Sequence, residues 1–231
     1  MASDSDFDLT SVGAAIGDRS RAAMLIALLG GTELTSSELA RAAQVSNSTA
    51  SEHLGKLVAA NLVVVHVAGR NRLHSLAGPL VADALERLGS IAPPQEIHSL
   101  KQARIGDALR RARSCYDHLA GELAIDLIDG LEKNGALLSS HGTFELTGAG
   151  EDQLAAIGLH LDALRHGRRA FARRCLDWSE RRDHLAGALG AALMRRFLEL
   201  QWLQRTQYSR ALQVTATGDA GFAQHFGITR A

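Results

Sequence analysis

The stretch Thr32–Leu76 constrains this chain most, because it sets a short helix, a tight turn, a longer helix and a basic-tipped hairpin in immediate succession. Thr35 can cap a helix over Ser36–Ala43, whose inward positions Leu39, Ala40 and Ala43 suit close helix packing. Gln44-Val45 makes the turn, and Ser46 caps a second helix from Asn47 to about Asn61. Ala50, Leu54, Leu57 and Val58 recur at helical spacing as its apolar stripe, opposite Asn47, Ser48, Ser51, Glu52 and Lys56. Leu62–Val67 and Arg72–Leu76 are β-rich runs around Ala68-Gly69-Arg70-Asn71, the pattern of a hairpin. The order predicts a winged helix-turn-helix.

Asp18–Leu76 resembles the ArsR/SmtB family of bacterial winged-helix repressors. That family's recognition segment runs as an apolar residue, Ser, polar, Ser-Thr, apolar, Ser, variable, His-Leu. Here it stands as Val45-Ser46-Asn47-Ser48-Thr49-Ala50-Ser51-Glu52-His53-Leu54, with Gly69-Arg70-Asn71-Arg72 at the wing. The likeness covers about the first third of the chain. It implies double-stranded DNA as partner, with contacts from Ser46, Asn47, Ser48, Thr49, Ser51, His53, Lys56, Arg70, Asn71 and Arg72. Short polar side chains on the first turns of the second helix suit hydrogen bonds to base edges and phosphates in a major groove. The resemblance also implies a homodimer, through the first helix and the helix after the wing, on an inverted-repeat operator. Two residues depart from the family. Thr35-Ser36-Ser37 stands where many members carry a metal-sensing Cys-x-Cys, so no thiolate is available there for a soft metal. Glu52 stands where a basic residue is frequent.

The 231 residues carry no net charge, and the first 78 are not basic either: Arg19, Arg21, Arg41, Lys56, Arg70 and Arg72 face Asp4, Asp6, Asp8, Asp18, Glu33, Glu38 and Glu52. Phosphate contacts dominate non-specific affinity, so DNA binding is expected to be modest and strongly salt-sensitive. The N-terminal MASDSDFD has the make-up of neither a secretory signal nor a transit peptide. No apolar run approaches the roughly 20 residues needed to span a bilayer. Two cysteines make no disulfide framework. These features predict a cytoplasmic chain without a membrane partner.

Three segments are expected: 1–89 for DNA binding and dimerisation, a linker SIAPPQE at 90–96, and a C-terminal domain at 97–231. Within the first, Leu9–Ile16 and Arg21–Leu29 are predicted helices, and Val81, Ala84, Leu85 and Leu88 make an apolar face. The third contains an internal repeat. Asp117-His118-Leu119-Ala120-Gly121 recurs as Asp183-His184-Leu185-Ala186-Gly187, Leu123 and Leu127 as Leu189 and Leu193, Thr147 and Gly150 as Thr215 and Gly218. Each copy predicts a helix, a strand pair (136–140 with 143–147 around His141-Gly142; 202–206 with 210–215) and a short helix. The fold class is therefore mainly α with small β-hairpins, an α+β chain joining a winged helix-turn-helix to two pseudo-repeated wing-like units with a cleft between the copies.

Cys115 and Cys175 lie beside the repeated segments, near His118, Asp177, Trp178 and His184. Cys115-x-x-His118 has helical i, i+3 spacing, so a thiol and an imidazole could share a metal ion, and Arg113 or Arg174 could activate a thiol toward oxidants. The plainer reading makes the cysteines small core residues and has Asp117 and Asp183 cap helices. The basic run Arg165–Arg174 is a solvated face or an anion site, and Phe171, Trp178, Trp202 and Tyr208 are candidate pocket walls. No nucleophile, base and oxyanion set is evident, so no enzymatic activity is expected. The function expected is a dimeric DNA-binding transcriptional regulator, a repressor released by a small-molecule or metal effector. Cys115, His118, Cys175, His184 and Trp178 are the candidate effector residues. The alternative is a C-terminal module for protein interaction or dimerisation, without a small ligand.

Overall fold

A computed structural model describes residues 8–69, 71–93, 96, 99–140, 142–207 and 209–229, and packs the chain as two units, Met1–Ala82 and Asp83–Ala231.

In the first unit, helices α1 (Leu9–Ile16), α2 (Arg19–Leu28), α3 (Ser36–Ala43) and α4 (Asn47–Ala59) accompany strands β1 (Leu34–Thr35), β2 (Val63–Ala68) and β3 (Asn71–Leu76), ordered β1-β3-β2 in one antiparallel sheet. Local chemistry sets the boundaries. Asp18 accepts the amides of Ser20 and Arg21 at the head of α2. Thr35 and Glu38 form a reciprocal capping box on α3, and Gln44 ends that helix in the left-handed region at φ 57°. Met24, Leu25, Leu28, Leu39, Ala50, Leu54 and Leu57 are buried, as the helical spacing requires. Val58, expected in the same stripe, is 37% exposed, because it lies at the margin of the buried face. The wing pairs Val63 with Leu76 through Ala68 with Asn71.

Helix α5 (Pro79–Ile91) carries the chain from the first unit into the second, so the packing boundary falls inside a helix and not at residue 89. Ser90 and Ile91, expected in the linker, belong to this helix; Pro94 and Gln95 lie outside the described residues. The helix buries Ala82 and Glu86. Of the apolar face expected at Val81, Ala84, Leu85 and Leu88, Ala84 and Leu88 are exposed, together with Leu80 and Ile91.

The second unit continues with α6 (Leu100–Arg111), β4 (Arg113–Cys115), β5 (His118–Ala120), α7 (Glu122–Lys133), β6 (Leu137–Ser140), β7 (Thr143–Leu146), α8 (Gly148–Ala155) and α9 (Asp162–Arg165). It ends with β8 (Arg173–Leu176), β9 (Asp183–Ala186), α10 (Gly187–Glu199), β10 (Leu203–Arg205), β11 (Leu212–Val214) and α11 (Ala216–Phe226). Hairpin, helix, hairpin and helix thus follow in the same order from β4 to α8 and from β8 to α11. The first hairpin of each half also meets the second hairpin of the other: Thr143 pairs with Arg173, and Arg113 bridges Ala211. Leu123, Leu127 and Leu131 of α7 share one core with Leu189, Leu193 and Phe197 of α10, closed by Trp202, Phe222 and Phe226.

The repeated Asp-His-Leu-Ala-Gly segments are strands and not helix starts. Each runs along a hairpin and turns sharply into its helix at the glycine, where φ is 89° at Gly121 and 86° at Gly187. A Cβ would stand 2.4 Å from Arg110 O at Gly121 and 2.6 Å from Ala170 O at Gly187, so the turn admits no side chain. Asp117 and Asp183 therefore cap nothing. The cleft expected between the copies is filled as well: Leu119, Leu127, Leu185 and Leu193 enclose a void of about 10 Å³, room for one water at most. No described helix is long and apolar enough to cross a membrane.

Candidate DNA-reading face and a buried thiol and imidazole centre

Ser46 heads α4, its Oγ accepting the Thr49 amide at 3.2 Å and lying within 2.9 Å of the Ser48 and Thr49 hydroxyls. The helix is anchored by Ala50, Leu54 and Leu57, which leaves Asn47, Ser48, Ser51, Glu52 and Lys56 exposed on one face. Thr49 is half-buried, and Lys56 reaches back to Glu52 at 2.7 Å. His53 is placed differently from its neighbours. Its Nδ1 lies 3.2 Å from Arg21 Nη1 and 3.8 Å from Asp18 Oδ1, and only 14% of the side chain is exposed. Arg21 is itself held by the carbonyls of Ala14 and Ala15. His53 thus ties α4 to α2 and does not stand free on the polar face. Asn71 and Arg72 are exposed at the foot of β3, whereas Arg70 lies outside the described residues.

In the second unit, four sequence-selected residues meet. The donor atoms of Cys115, His118, Cys175 and His184 all lie within 4.8 Å of one another, and all four residues are buried. Each hairpin supplies one thiol and one imidazole as a cross-strand pair, Cys115 opposite His118 and Cys175 opposite His184. The sulfurs are 3.9 Å apart and the two Nε2 atoms 3.1 Å apart. The pairing is one of β-hairpins and not of one helix face. Around the four stands a shell of carboxylates. His118 Nδ1 lies 3.3 Å from Asp117 Oδ1, and Asp117 is held by Arg169. His184 Nδ1 lies 3.2 Å from Asp177 Oδ2, within ion-pair range but off the line of a hydrogen bond. Asp177 also accepts from Arg113 Nη2, the Gly121 amide and the Ser179 amide and hydroxyl.

These contacts set the charges. The hydrogen bond between the sulfurs, with burial, pushes the Cys115 thiol well above its ordinary range. The same bond pulls Cys175 down against its burial, helped by His118 and His184. Burial lowers the basicity of His184, but Asp177 and Cys175 outweigh it and raise the imidazole to about 9. Burial would raise both carboxyls. His184, Arg113 and the Gly121 amide instead hold Asp177 well below the carboxylate range, as His118 and Arg169 hold Asp117.

The remaining candidates fall outside this centre. Trp178 stacks under the Arg113 guanidinium at 4.5 Å and backs the Asp177 shell. Trp202 belongs to the core, stacked on Phe197, and Phe171 lies under Arg165. Tyr208 and His141 lie outside the described residues. Arg113 and Arg174, expected to activate a thiol, point to Asp177 and Asp183. Several arginines of the basic run are paired, Arg165 with Glu151, Arg169 with Asp117 and Arg173 with Asp83, and beyond the run Arg182 pairs with Asp129. An open cleft of about 720 Å³ is lined by Leu100, Arg104, Ile105 and Thr206 among others, and the described candidates Phe171, Trp178 and Trp202 are not among its lining residues. The buried pair Glu86 and Arg210 carried no signal in the sequence.

Residues 16–66 match a family described as a helix-turn-helix domain. Over 221 residues the chain is 38% identical to the uncharacterized HTH-type transcriptional regulator YdfF of Bacillus subtilis (strain 168), covering 96% of this chain and 98% of that protein. Among solved structures it is similar to the cadmium metal-sensor CMTR from Mycobacterium tuberculosis, with 30% identity, 39% of this chain and 94% of that one covered, and a TM-score of 0.33. It is also similar to the homodimeric winged helix-turn-helix DNA-binding domain of Mb0332 from Mycobacterium bovis, with 28% identity, 38% and 86% coverage and a TM-score of 0.33.

Proposed function

This chain belongs to the HTH-type transcriptional regulators, and we propose that it acts as a homodimeric repressor that binds an inverted-repeat operator and is released by an effector held in its C-terminal unit. The observation that carries the reading is the capped helix α4, which presents Asn47, Ser48, Ser51 and Lys56 to solvent while its other face is anchored in the core. A rigid helix with short polar side chains on its first turns suits major-groove insertion, and Asn71 and Arg72 on the wing suit contact with the flanking phosphates.

Dimerisation is supported by the solvent-facing apolar residues of α5. Leu80, Ala84, Leu88 and Ile91 follow one another at helical spacing, and Leu80 and Ile91 are 84% and 79% exposed. A symmetric partner offering the same stripe would cover it. Effector control is supported by the buried Cys115, His118, Cys175 and His184 centre, a chemically distinct site in a unit that the DNA-reading face does not need.

Gel-shift and footprinting experiments test the reading, using the full chain and the DNA upstream of its own gene at fixed moderate salt. The expected result is a protected inverted repeat bound far more tightly than unrelated DNA, by a species of dimeric mass. Equal binding to every sequence, or none, would overturn it.

A further inference from the structure

We propose that Cys115 Sγ, Cys175 Sγ, His118 Nε2 and His184 Nε2 form a closed tetrahedral site for one divalent cation of the zinc class, and that this cation is the effector. The existence of the site does not depend on DNA binding; its role as effector rests on the reading above.

The first argument is geometric. Bonds of about 2.3 Å to sulfur and 2.0–2.1 Å to imidazole nitrogen place tetrahedral sulfurs about 3.8 Å apart and nitrogens about 3.4 Å apart. The structure has 3.9 Å and 3.1 Å. All six separations lie within 4.8 Å, against about 3.6 Å for a tetrahedral sulfur–nitrogen edge, so closure around the ion requires at most about 1.2 Å of movement in any edge.

The second argument is the direction of the lone pairs. Both Nδ1 atoms face carboxylates, Asp117 for His118 and Asp177 for His184. A carboxylate there draws the ring N–H toward itself and leaves Nε2 as the donor, the arrangement of a metal-bound histidine and its outer shell. Two Nε2 lone pairs meeting at 3.1 Å repel unless a positive charge lies between them. A proton would serve the two nitrogens alone. A metal uses the two sulfurs as well.

Charge balance agrees. Each outer carboxylate already has its own arginine, Arg169 on Asp117 and Arg113 on Asp177, so neither needs the ion for neutrality. Two thiolates and a divalent cation then sum to zero in a buried site, where an uncompensated charge would be costly. The donor set excludes calcium and magnesium, which take oxygen ligands, and two sulfurs with two nitrogens in a tetrahedron select zinc-like ions. With four protein ligands no position is left for substrate water, which fits a structural or regulatory ion and not a hydrolytic one. The void beside the hairpins, about 10 Å³, leaves no room there for an organic effector.

The site is also linked to α5. Ser114, next to Cys115, donates its amide to Arg210 O at 2.9 Å, and the Arg210 guanidinium holds the buried Glu86. Arg173, on the strand that carries Cys175, holds Asp83 at 2.9 Å. Glu86 and Asp83 both belong to α5, the helix that follows the wing. Drawing the two hairpins together therefore pulls on two ion pairs that end on that helix.

The test is titration of reduced, metal-stripped full-length protein with Co(II), followed by competition with Zn(II). One equivalent of cobalt should give the visible bands of a tetrahedral ion with a near-ultraviolet thiolate charge-transfer band, and zinc should abolish both. Cys115→Ser and Cys175→Ser should each weaken binding by more than the roughly 10–100-fold that an outer-shell change costs. Zinc should raise the melting temperature of the parent and not of the double variant, a readout that first shows the variant to be folded. The spectrum of aqueous octahedral cobalt, or a tetrahedral spectrum retained without both cysteines, would overturn the proposal. So would a Cys115–Cys175 disulfide formed by peroxide in a protein that binds no cobalt, which assigns the pair to oxidant sensing. Tetrahedral cobalt in a protein whose operator affinity ignores zinc would overturn the effector role. Tetrahedral cobalt without any operator binding would sink the DNA reading and leave the site standing.

Discussion

Arg113 Nη2 donates to Asp177 Oδ1 at 2.7 Å, and neither side chain has any exposure to solvent. The pair joins the start of β4 to the segment between β8 and β9, and Asp177 faces His184 with its other oxygen. Replacing Arg113 by Met leaves a buried carboxylate without its counter-charge, at a cost of about 3–5 kcal/mol. Asp177→Asn keeps a single acceptor oxygen, for Gly121 or for Ser179 but not both, and leaves Arg113 without its carboxylate, so it too is destabilising. It also removes the charge that faces His184, weakening metal affinity by about 10–100-fold. Urea unfolding should show both variants destabilised, and cobalt titration should show the larger loss of affinity for Asp177→Asn. Equal cobalt affinities would mean that Asp177 serves stability alone.

Gly150 and Gly218 occupy matching places in the two halves and face matching carbonyls. A Cβ at Gly150 would stand 2.2 Å from Ala136 O, and one at Gly218 2.1 Å from Trp202 O. In each half a threonine three residues earlier, Thr147 or Thr215, caps the helix and fixes that approach. Alanine at either glycine should cost about 1–3 kcal/mol through overpacking. Gly148→Ala, where a Cβ meets nothing within 4 Å, should be neutral or stabilising by up to about 1 kcal/mol. Thermal melts of the three variants provide the comparison, and equal melting points would refute the packing argument.

What was legible in the sequence was local. Thr35, Ser46 and Gln44 act within one turn of the chain, so the helices of the DNA-reading motif stood within two residues of their observed ends. The four residues of the buried centre could be named because they lie within or beside a repeated segment, but their geometry could not. The separation of three positions from Cys115 to His118 fits one helix face as well as a tight hairpin, and only the turn at Tyr116, with φ 59°, decides for the hairpin. Cys175 and His184 face each other across a nine-residue separation that has no period to detect. Glu86 with Arg210, and Arg169 with Asp117, are long-range partners that leave no trace in either neighbourhood. His53 shows the same limit: its spacing puts it near the polar face, and Arg21, from another helix, turns it inward.

DNA binding should separate positioning from reading. Arg72 is exposed on the wing, so Arg72→Ala should weaken binding evenly across sequences and reduce the salt slope by about 1. Ser48→Ala should instead lower the preference for operator over random DNA and leave the slope unchanged. Glu52 occupies Lys56 at 2.7 Å, and Glu52→Gln should free that ammonium for phosphate and tighten binding at low salt. Fluorescence anisotropy over a salt series measures all three. An Arg72→Ala slope identical to the parent's would remove the wing from the interface.

His74 gives the first unit a pH dependence of known sign. Its ring is buried on β3 and its Nδ1 donates to Leu34 O at 3.3 Å. Burial first, and then the charge of Arg72, lower its basicity, while the Leu34 bond opposes them. The folded chain therefore prefers neutral imidazole, and the unfolded chain takes up the proton first, at its ordinary value of 6.5. The resulting stability is complete above 6.5 and declines as pH falls through that value toward the lower folded one. The imidazole should titrate by NMR with a midpoint below 6.5, and His74→Gln should flatten the acid limb of the unit's unfolding midpoints. A midpoint above 6.5 would reverse the sign and place a carboxylate, not burial, in control of the ring.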